Sequence, residues 1–269
     1  MKKNEKIFIE FAGGLGAQIF SYALKLKFDS LGADVYSDTS YFNKEPIKAK
    51  LGYGVSIFPW ELDYYGHSID KLKKYKLGRI EKNLQRKLKF WRYKYIDGNY
   101  LTSSMAYDAL NEVDENFFPI QEKHVNELRN IFESENDVGV VHIRRGDYLN
   151  VASKLVSDEE YISGCNLLIQ MKCKRIILVS DDPIEFDFYR DKINKKISIE
   201  KYESDDIFLT HAVIRSAKYV ITANSQYSMS AALLNKRAVI LTPRFWLANN
   251  IIEHPFTKDC SWLLMNRRF

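Results

Sequence analysis

Residues 138–148 read VGVVHIRRGDY. Val138 to Ile143 is too continuously apolar for a strand with one wet face, and such a run marks a strand covered on both sides. It stops at Arg144-Arg145-Gly146-Asp147, a polar loop. The same unit recurs downstream. RIILVS (175–180) ends in Asp181-Asp182-Pro183, YVITA (219–223) ends in Asn224-Ser225, and AVILT (238–242) leads into Pro243-Arg244-Phe245-Trp246. Helical spacing lies between. Ser157 with Glu160 forms a capping box for a helix to about Met171. Further helices are expected to about Ile193, from Asp205 to Ser216 with the aspartates in capping positions, and to Asn235; SIEKY (198–202) reads as a short strand. Apolar strands alternating with helices predict an α/β fold with a parallel sheet.

The first half opens the same way. KIFIEF (Lys6 to Phe11) alternates like a strand, a turn follows at Gly13, Gly14 and Gly16, and Phe20, Ala23, Leu24, Phe28 and Leu31 share one face of a helix from about Gln18 to Leu31. Asp34 to Ser37 reads as the next strand. The middle is less regular. Between Lys71 and Lys94 a dense run of lysines and arginines meets one acid, Glu81, while Leu77, Ile80, Leu84, Leu88 and Trp91 keep helical spacing. This predicts a basic amphipathic helix. The two halves suggest two Rossmann-like domains, 1–135 and 136–269, joined near Glu133 to Asp137.

Composition narrows the function. The 269 residues are 46% hydrophobic and 28% charged, enough for real cores and unlike a disordered chain. No stretch approaches a membrane span. The start, MKKNEKIFIEFAGG, reads as a strand and turn, not as a signal peptide. Cys165, Cys173 and Cys260 are odd in number and form no C-x-x-C pair, which disfavours a zinc site or disulfide framework and fits a reducing cytosol. A net charge of +5 fits an anionic partner: a nucleotide, a nucleic acid or a lipid surface. No nucleic-acid motif appears, and the aromatics form no stacking platform.

In an open parallel sheet, ligands bind beyond the carboxyl ends of the strands. Three polar clusters hold that position: His142 to Asp147, Asp181-Asp182, and Asn224-Ser225. Arg144 and Arg145 offer the bidentate cationic donors that a diphosphate requires, and an arginine there stabilises the charge on a leaving nucleoside diphosphate. His142 suits a hydrogen bond to a base or ribose, or a structural role. Asp181 and Asp182 suit a metal, a ribose or base, or a helix cap. The D-x-D pattern of metal-dependent sugar transferases is absent around them. Gly13-Gly14-Leu15-Gly16 is not G-x-G-x-x-G, so a nicotinamide or flavin enzyme is disfavoured. Gly16 serves either a close backbone approach or a tight turn.

With these residues in view, the chain resembles glycosyltransferase family 11, the bacterial α-1,2-fucosyltransferases. GGLGAQIFSYA (Gly13 to Ala23), HIRRGDY (His142 to Tyr148), VSDDP (Val179 to Pro183), TANSQYSMSAALLN (Thr222 to Asn235) and PRFW (Pro243 to Trp246) resemble that family's motifs in order. The resemblance implies a GT-B fold, with two Rossmann-like domains whose parallel sheets face across a cleft. It implies that the C-terminal domain holds GDP-fucose: Arg144 and Arg145 on the diphosphate, His142 and Asp181 towards the guanosine, Asn224 and Ser225 lining the donor pocket, with Asp182 also among the donor-binding residues. Gly14, Gly16 and Gln18 would serve the reacting centre from the acceptor-side domain. Arg144 and Asp147 are the catalytic candidates, Asp147 either as a base or as an orienting partner of the arginines. No metal is expected.

The implied acceptor is a galactose-containing oligosaccharide or lipid-linked glycan, as in O-antigen assembly. The expected location is the cytoplasm, and the basic run 71–94 reads either as a solvated helix face or as a peripheral contact with an anionic inner membrane face. The sequence departs from the family at Ala17, where Asn is usual, and at Met229 and Ser230, where two tryptophans are usual. Such departures fit another acceptor, a related GDP-deoxysugar such as colitose, or a non-catalytic GDP- or glycan-binding homologue.

Overall fold

The computed structural model describes residues 6–43, 58–74, 93–96, 104–132, 137–150, 155–193, 197–243 and 263–265. The chain divides into two compact units, Met1–Pro119 and Ile120–Phe269.

Unit 1 holds β1 (Lys6–Glu10), α1 (Leu15–Ser30), β2 (Asp34–Asp38), β3 (Tyr93–Ile96) and α2 (Ser104–Glu112). The strands run in the order β2-β1-β3, all parallel. As the central strand, β1 buries Ile7, Phe8 and Ile9 together, so the alternation read in KIFIEF is weaker in the fold than in the letters. Phe8 stacks on Tyr36 at 5.1 Å. α1 begins three residues before the expected Gln18, because Gly14 is its N-cap. Its apolar face packs on α2, with Phe20 edge-on to Tyr107 at 4.9 Å.

The expected basic helix is corrected at both ends. Residues 75–92 lie outside the described residues. Ile69–Lys71 is a 3-10 turn, Leu72 is buried, and Lys74 bridges to Ser37 as extended chain. At the far end Tyr93 and Lys94 belong to β3, whose Tyr-Lys-Tyr-Ile alternation pairs in register with β1.

Unit 2 holds α3 (Glu122–Phe132), β4 (Val138–Ile143), α4 (Asp158–Gln170), β5 (Arg175–Ser180), α5 (Phe186–Lys192), β6 (Ser198–Tyr202), α6 (Ile207–Ser216), β7 (Tyr219–Ile221), α7 (Gln226–Leu234), β8 (Val239–Pro243) and β9 (Leu263–Met265). The order β6-β5-β4-β7-β8-β9, parallel throughout, is the 3-2-1-4-5-6 order of a Rossmann sheet. Alternate residues of the central strands feed opposite faces. Val141, Ile143, Ile176 and Leu178 pack with Tyr161 and Leu168 of α4. Val138, Val140, Ile177 and Val179 pack with Leu209 and Val213 of α6. Two covered faces explain why these strands read as unbroken apolar runs.

The units divide at Pro119/Ile120 and not at the expected Glu133 to Asp137. Packing decides this. Leu128 of α3 joins the same core as Val138 and Leu209, and His124 hydrogen-bonds Asp206 at 3.0 Å. Asp206 caps α6, accepting from Phe208 and Leu209 N–H. The capping box at the start of α4 is present in both halves: Ser157 Oγ accepts from Glu160 N–H, and Glu160 accepts from Ser157 N–H. Ser157→Ala removes one of these bonds and is expected to lower stability by about 1 kcal/mol in urea unfolding.

Candidate active site

The sheet order of unit 2 reverses between β4 and β7: from β4 the chain moves outwards to β5 and β6, then returns to β7 on the other side. At such a switch point the connections leave in opposite directions and open a crevice beyond the carboxyl ends of the strands. His142 stands at the end of β4, Asn224 and Ser225 just beyond β7, and Asp181 just beyond β5. All three polar clusters of the sequence therefore meet on one edge of one sheet.

The loop after β4 is built around Asp181. Its Oδ1 accepts from the Arg145 backbone N–H at 2.8 Å, and its Oδ2 pairs with Arg144 Nη1 at 2.6 Å. Gly146 passes so close that a Cβ there would lie 2.4 Å from Asp181 Oδ2, and its φ is +31°. Only glycine fits both conditions. The Arg144 guanidinium lies 5.1 Å from the Tyr148 ring centre, and its side chain stays 23% exposed. It is oriented from two sides and still open.

Arg145 turns the other way. Its guanidinium pairs with Asp158, donates to Val156 O at 3.1 Å and to Tyr189 Oη at 3.2 Å, and lies 5.6 Å from the Tyr161 ring centre. Burial, then the Asp158 carboxylate, pushes the Tyr189 phenol above its ordinary range. Adjacent in sequence, the two arginines have different tasks: Arg144 faces the loop, and Arg145 ties that loop to α4 and α5.

His142 is buried, and its Nδ1 has no hydrogen-bond partner among the described residues. Burial, then the neighbouring Arg144 charge, pushes its pKa down to about 3. It is a neutral imidazole at pH 7. The Tyr227 ring lies 5.6 Å from His142 and 5.3 Å from His211. Ser230 donates to Tyr227 O at 2.9 Å, so its oxygen accepts from His211 Nε2–H at 3.0 Å. Burial, then Arg215, holds His211 down to about 3 as well.

Asn224 is buried, and Ser225 caps α7 by accepting from Tyr227 N–H at 3.3 Å. Asp182 directs its backbone N–H to Ser180 Oγ at 3.4 Å. Asp147 sits in the 3-10 turn Gly146–Asn150; its side chain lies outside the described residues. Met229 and Ser230 are both fully buried, Met229 against Thr242 and Ser230 on His211. Arg244 to Trp246 lie outside the described residues.

The three candidates of unit 1 form a clamp. A Cβ on Gly14 would sit 3.0 Å from the Phe58 ring, and Gly16 is buried in the first turn of α1. Gln18 is buried, and its amide donates to Gly13 O and Pro59 O, both at 2.8 Å, while its Oε1 accepts from Glu61 N–H at 2.8 Å. Ala17 lies under Gly13, within 3.2 Å of where a Cβ there would be.

Among the described residues no group of three or more His, Cys, Asp and Glu is placed to hold a metal ion. None of their helices is long and apolar enough to cross a membrane. The sequence reading missed Asp158, Tyr189, Tyr227 and His211. Tyr227 lies inside a quoted motif and Asp158 between the two capping-box residues, but only the fold brings Tyr189 and His211 to them.

Glycosyl transferase family 11 matches residues 63–263, more than half of the chain. The chain belongs to that family. The match begins beyond the glycine turn and α1, so the loops after β4, β5 and β7 fall within it and the Gln18 clamp does not. No curated protein matches this family 11 chain in sequence. Among solved structures, POFUT1 in complex with GDP is 9% identical, with a TM-score of 0.50 over 88% of this chain and 96% of that one. A family 9 glycosyl transferase from Veillonella parvula DSM 2008 is 10% identical, with a TM-score of 0.51 over 98% of this chain and 86% of that one. These likenesses show a shared fold, the GT-B type with parallel α/β sheets. The family 11 chain is a glycosyltransferase.

The buried histidines set an acid limit on stability. Each has a folded pKa far below the 6.5 of an unfolded histidine, so the unfolded chain binds more protons as pH falls. Stability is full above about 6.5 and drains towards pH 3, at up to about 1.4 kcal/mol per pH unit for each histidine. His211→Asn is expected to flatten the pH dependence of urea unfolding between 6.5 and 4 relative to wild type.

Proposed function

We propose that this chain transfers L-fucose from GDP-fucose to a sugar hydroxyl, O2 of a galactoside, in a glycan or O-antigen acceptor. The reaction inverts the anomeric centre and uses no metal. The observation that carries this reading is Arg144: a partly exposed guanidinium, aimed by Asp181 and Tyr148, at the switch point of a parallel sheet in a family 11 glycosyltransferase. That POFUT1, which shares the fold, is seen in complex with GDP supports a GDP-linked donor.

Unit 2 takes the donor. Arg144 engages the diphosphate. The neutral His142, with an unused ring nitrogen, and the Asp181-Asp182 and Asn224-Ser225 loops meet the nucleoside and the sugar. Arg145 acts at one remove, by fixing the loop through Asp158 and Tyr189. The acceptor hydroxyl attacks C1 on the face opposite the leaving GDP. Negative charge collects on the departing diphosphate, so a fixed guanidinium lowers this barrier more than it stabilises the ground state. Met229 and Ser230 support an intact transferase, because both are packed and satisfied in the interior.

The test is a donor and acceptor screen that follows GDP release. GDP-fucose with a terminal galactoside is expected to react, and EDTA is expected to leave the rate unchanged. Arg144→Ala is expected to lower kcat by about 10²–10³-fold with an unaltered circular dichroism spectrum. Wild-type turnover in that variant contradicts the assignment, as does a loss in EDTA that Mn²⁺ restores.

A further inference from the structure

At the switch point of unit 2, two enclosed polar side chains lie level with each other. β4 and β7 pair Gly139 with Tyr219, Val140 with Val220 and Val141 with Ile221. One step on, His142 stands beside Thr222, whose backbone N–H still donates to Leu241 O at 2.9 Å, as in a strand. Side chains two residues apart share a face of the sheet. Val140 and Val220 pack with Leu209 and Val213 of α6, so His142 and Thr222 belong to that same covered face. Both are buried, and neither His142 Nδ1 nor Thr222 Oγ1 has a hydrogen-bond partner among the described residues.

The neighbouring hydroxyls are committed elsewhere. Ser228 donates to Ser225 O, Ser230 to Tyr227 O, and Tyr227 Oη to Ile207 O. The Thr222 proton has no such place, and a buried hydroxyl needs one. Neighbouring strands lie about 5 Å apart. A turn about χ1, or one enclosed water, therefore brings this hydroxyl to the imidazole beside it. The direction of the bond follows from counting protons. If Thr222 accepted from an Nδ1–H, its own proton would stay buried and unbonded. If it donates to Nδ1, both atoms are satisfied at once.

We propose that Thr222 is a positioning residue for donor binding: its hydroxyl donates to His142 Nδ1 and so fixes the imidazole as the Nε2–H tautomer, a hydrogen-bond donor towards an oxygen of the nucleotide. This rests on the fucosyl-transfer reading above. A neutral imidazole has two tautomers, and the bond at one nitrogen decides which proton the other carries. Thr222 takes up Nδ1, the enclosed nitrogen, and leaves Nε2 as the unused one. The phosphates and ribose of a nucleoside diphosphate are rich in acceptor oxygens, which an Nε2–H meets and a bare Nε2 lone pair repels. The Tyr227 ring, 5.6 Å away, packs on the same imidazole.

Wild type, Thr222→Val and Thr222→Ser are compared by the ¹⁵N resonances of the His142 ring, by calorimetric titration with GDP, and by kcat and KM for GDP-fucose. The wild-type ring is expected to show an unprotonated, hydrogen-bonded Nδ1 and a protonated Nε2. Valine keeps the shape and removes the donor. It is expected to mix the two tautomers and to weaken GDP binding about five- to tenfold. KM for GDP-fucose is expected to rise by a similar factor with kcat unchanged. Serine is expected to restore the spectrum, the affinity and KM. A protonated Nδ1 in wild type overturns the proposal, and this measurement decides alone should the valine variant fail to fold. A folded valine variant with an unchanged His142 spectrum also overturns it, the result expected if the hydroxyl serves Asn224, two residues along. So does an unchanged GDP affinity in that variant, which leaves the transferase reading standing. No GDP binding by wild type overturns both.

Discussion

One carboxylate organises the loop after β4. Asp181 takes the Arg145 backbone N–H on one oxygen and the Arg144 guanidinium on the other. It comes from a different strand, so the loop after β4 is fastened to the end of β5. Gly146 exists where it does because Asp181 Oδ2 occupies the place of a side chain. The ion pair is about one-fifth exposed on each side, which limits its net worth to stability. Its value is geometric. It holds a long, flexible cation in one orientation before any ligand arrives, and that ordering is a cost that binding no longer has to meet.

Behind this loop the molecule is stiffened by groups that ligands do not need to touch. Arg145 links the loop to α4 and α5 through Asp158 and Tyr189. On the far side of His142, the Tyr227 ring is wedged against two neutral imidazoles, with its hydroxyl on Ile207 O. Neutral histidines suit this place. A charged pair beside Arg144 would repel the guanidinium, whereas desolvated neutral rings add shape and donors at no electrostatic expense. In unit 1 the same logic is carried by Gln18, whose three hydrogen bonds pin a glycine turn to the chain at Pro59 and Glu61.

Much of this was legible in the sequence, for physical reasons. The unbroken apolar run of β4 reports burial on two faces, and polar residues at strand ends report the edge where ligands gather. The capping box at Ser157 and the cap at Asp206 are local and were read correctly. What escaped depends on distance along the chain. Arg145 meets Tyr189 across 44 residues, and nothing in Arg-Arg tells which arginine is spent on structure. β3 is a four-residue edge strand following a lysine-rich run, so charge masked a period-2 pattern. The division between units falls before α3, whose Leu128 packs in unit 2's core and whose His124 bonds Asp206, although α3 precedes that unit's first strand.

The central claim is that Arg144, aimed by Asp181, holds the terminal phosphate of a nucleoside diphosphate. Calorimetric titration of GDP and GMP against wild type and Arg144→Ala tests it most directly. The account predicts that wild type prefers GDP to GMP by about tenfold or more, the worth of one charge-assisted contact, and that the variant binds both alike. Equal affinities in wild type, or a preference for GDP that survives the loss of Arg144, would contradict it.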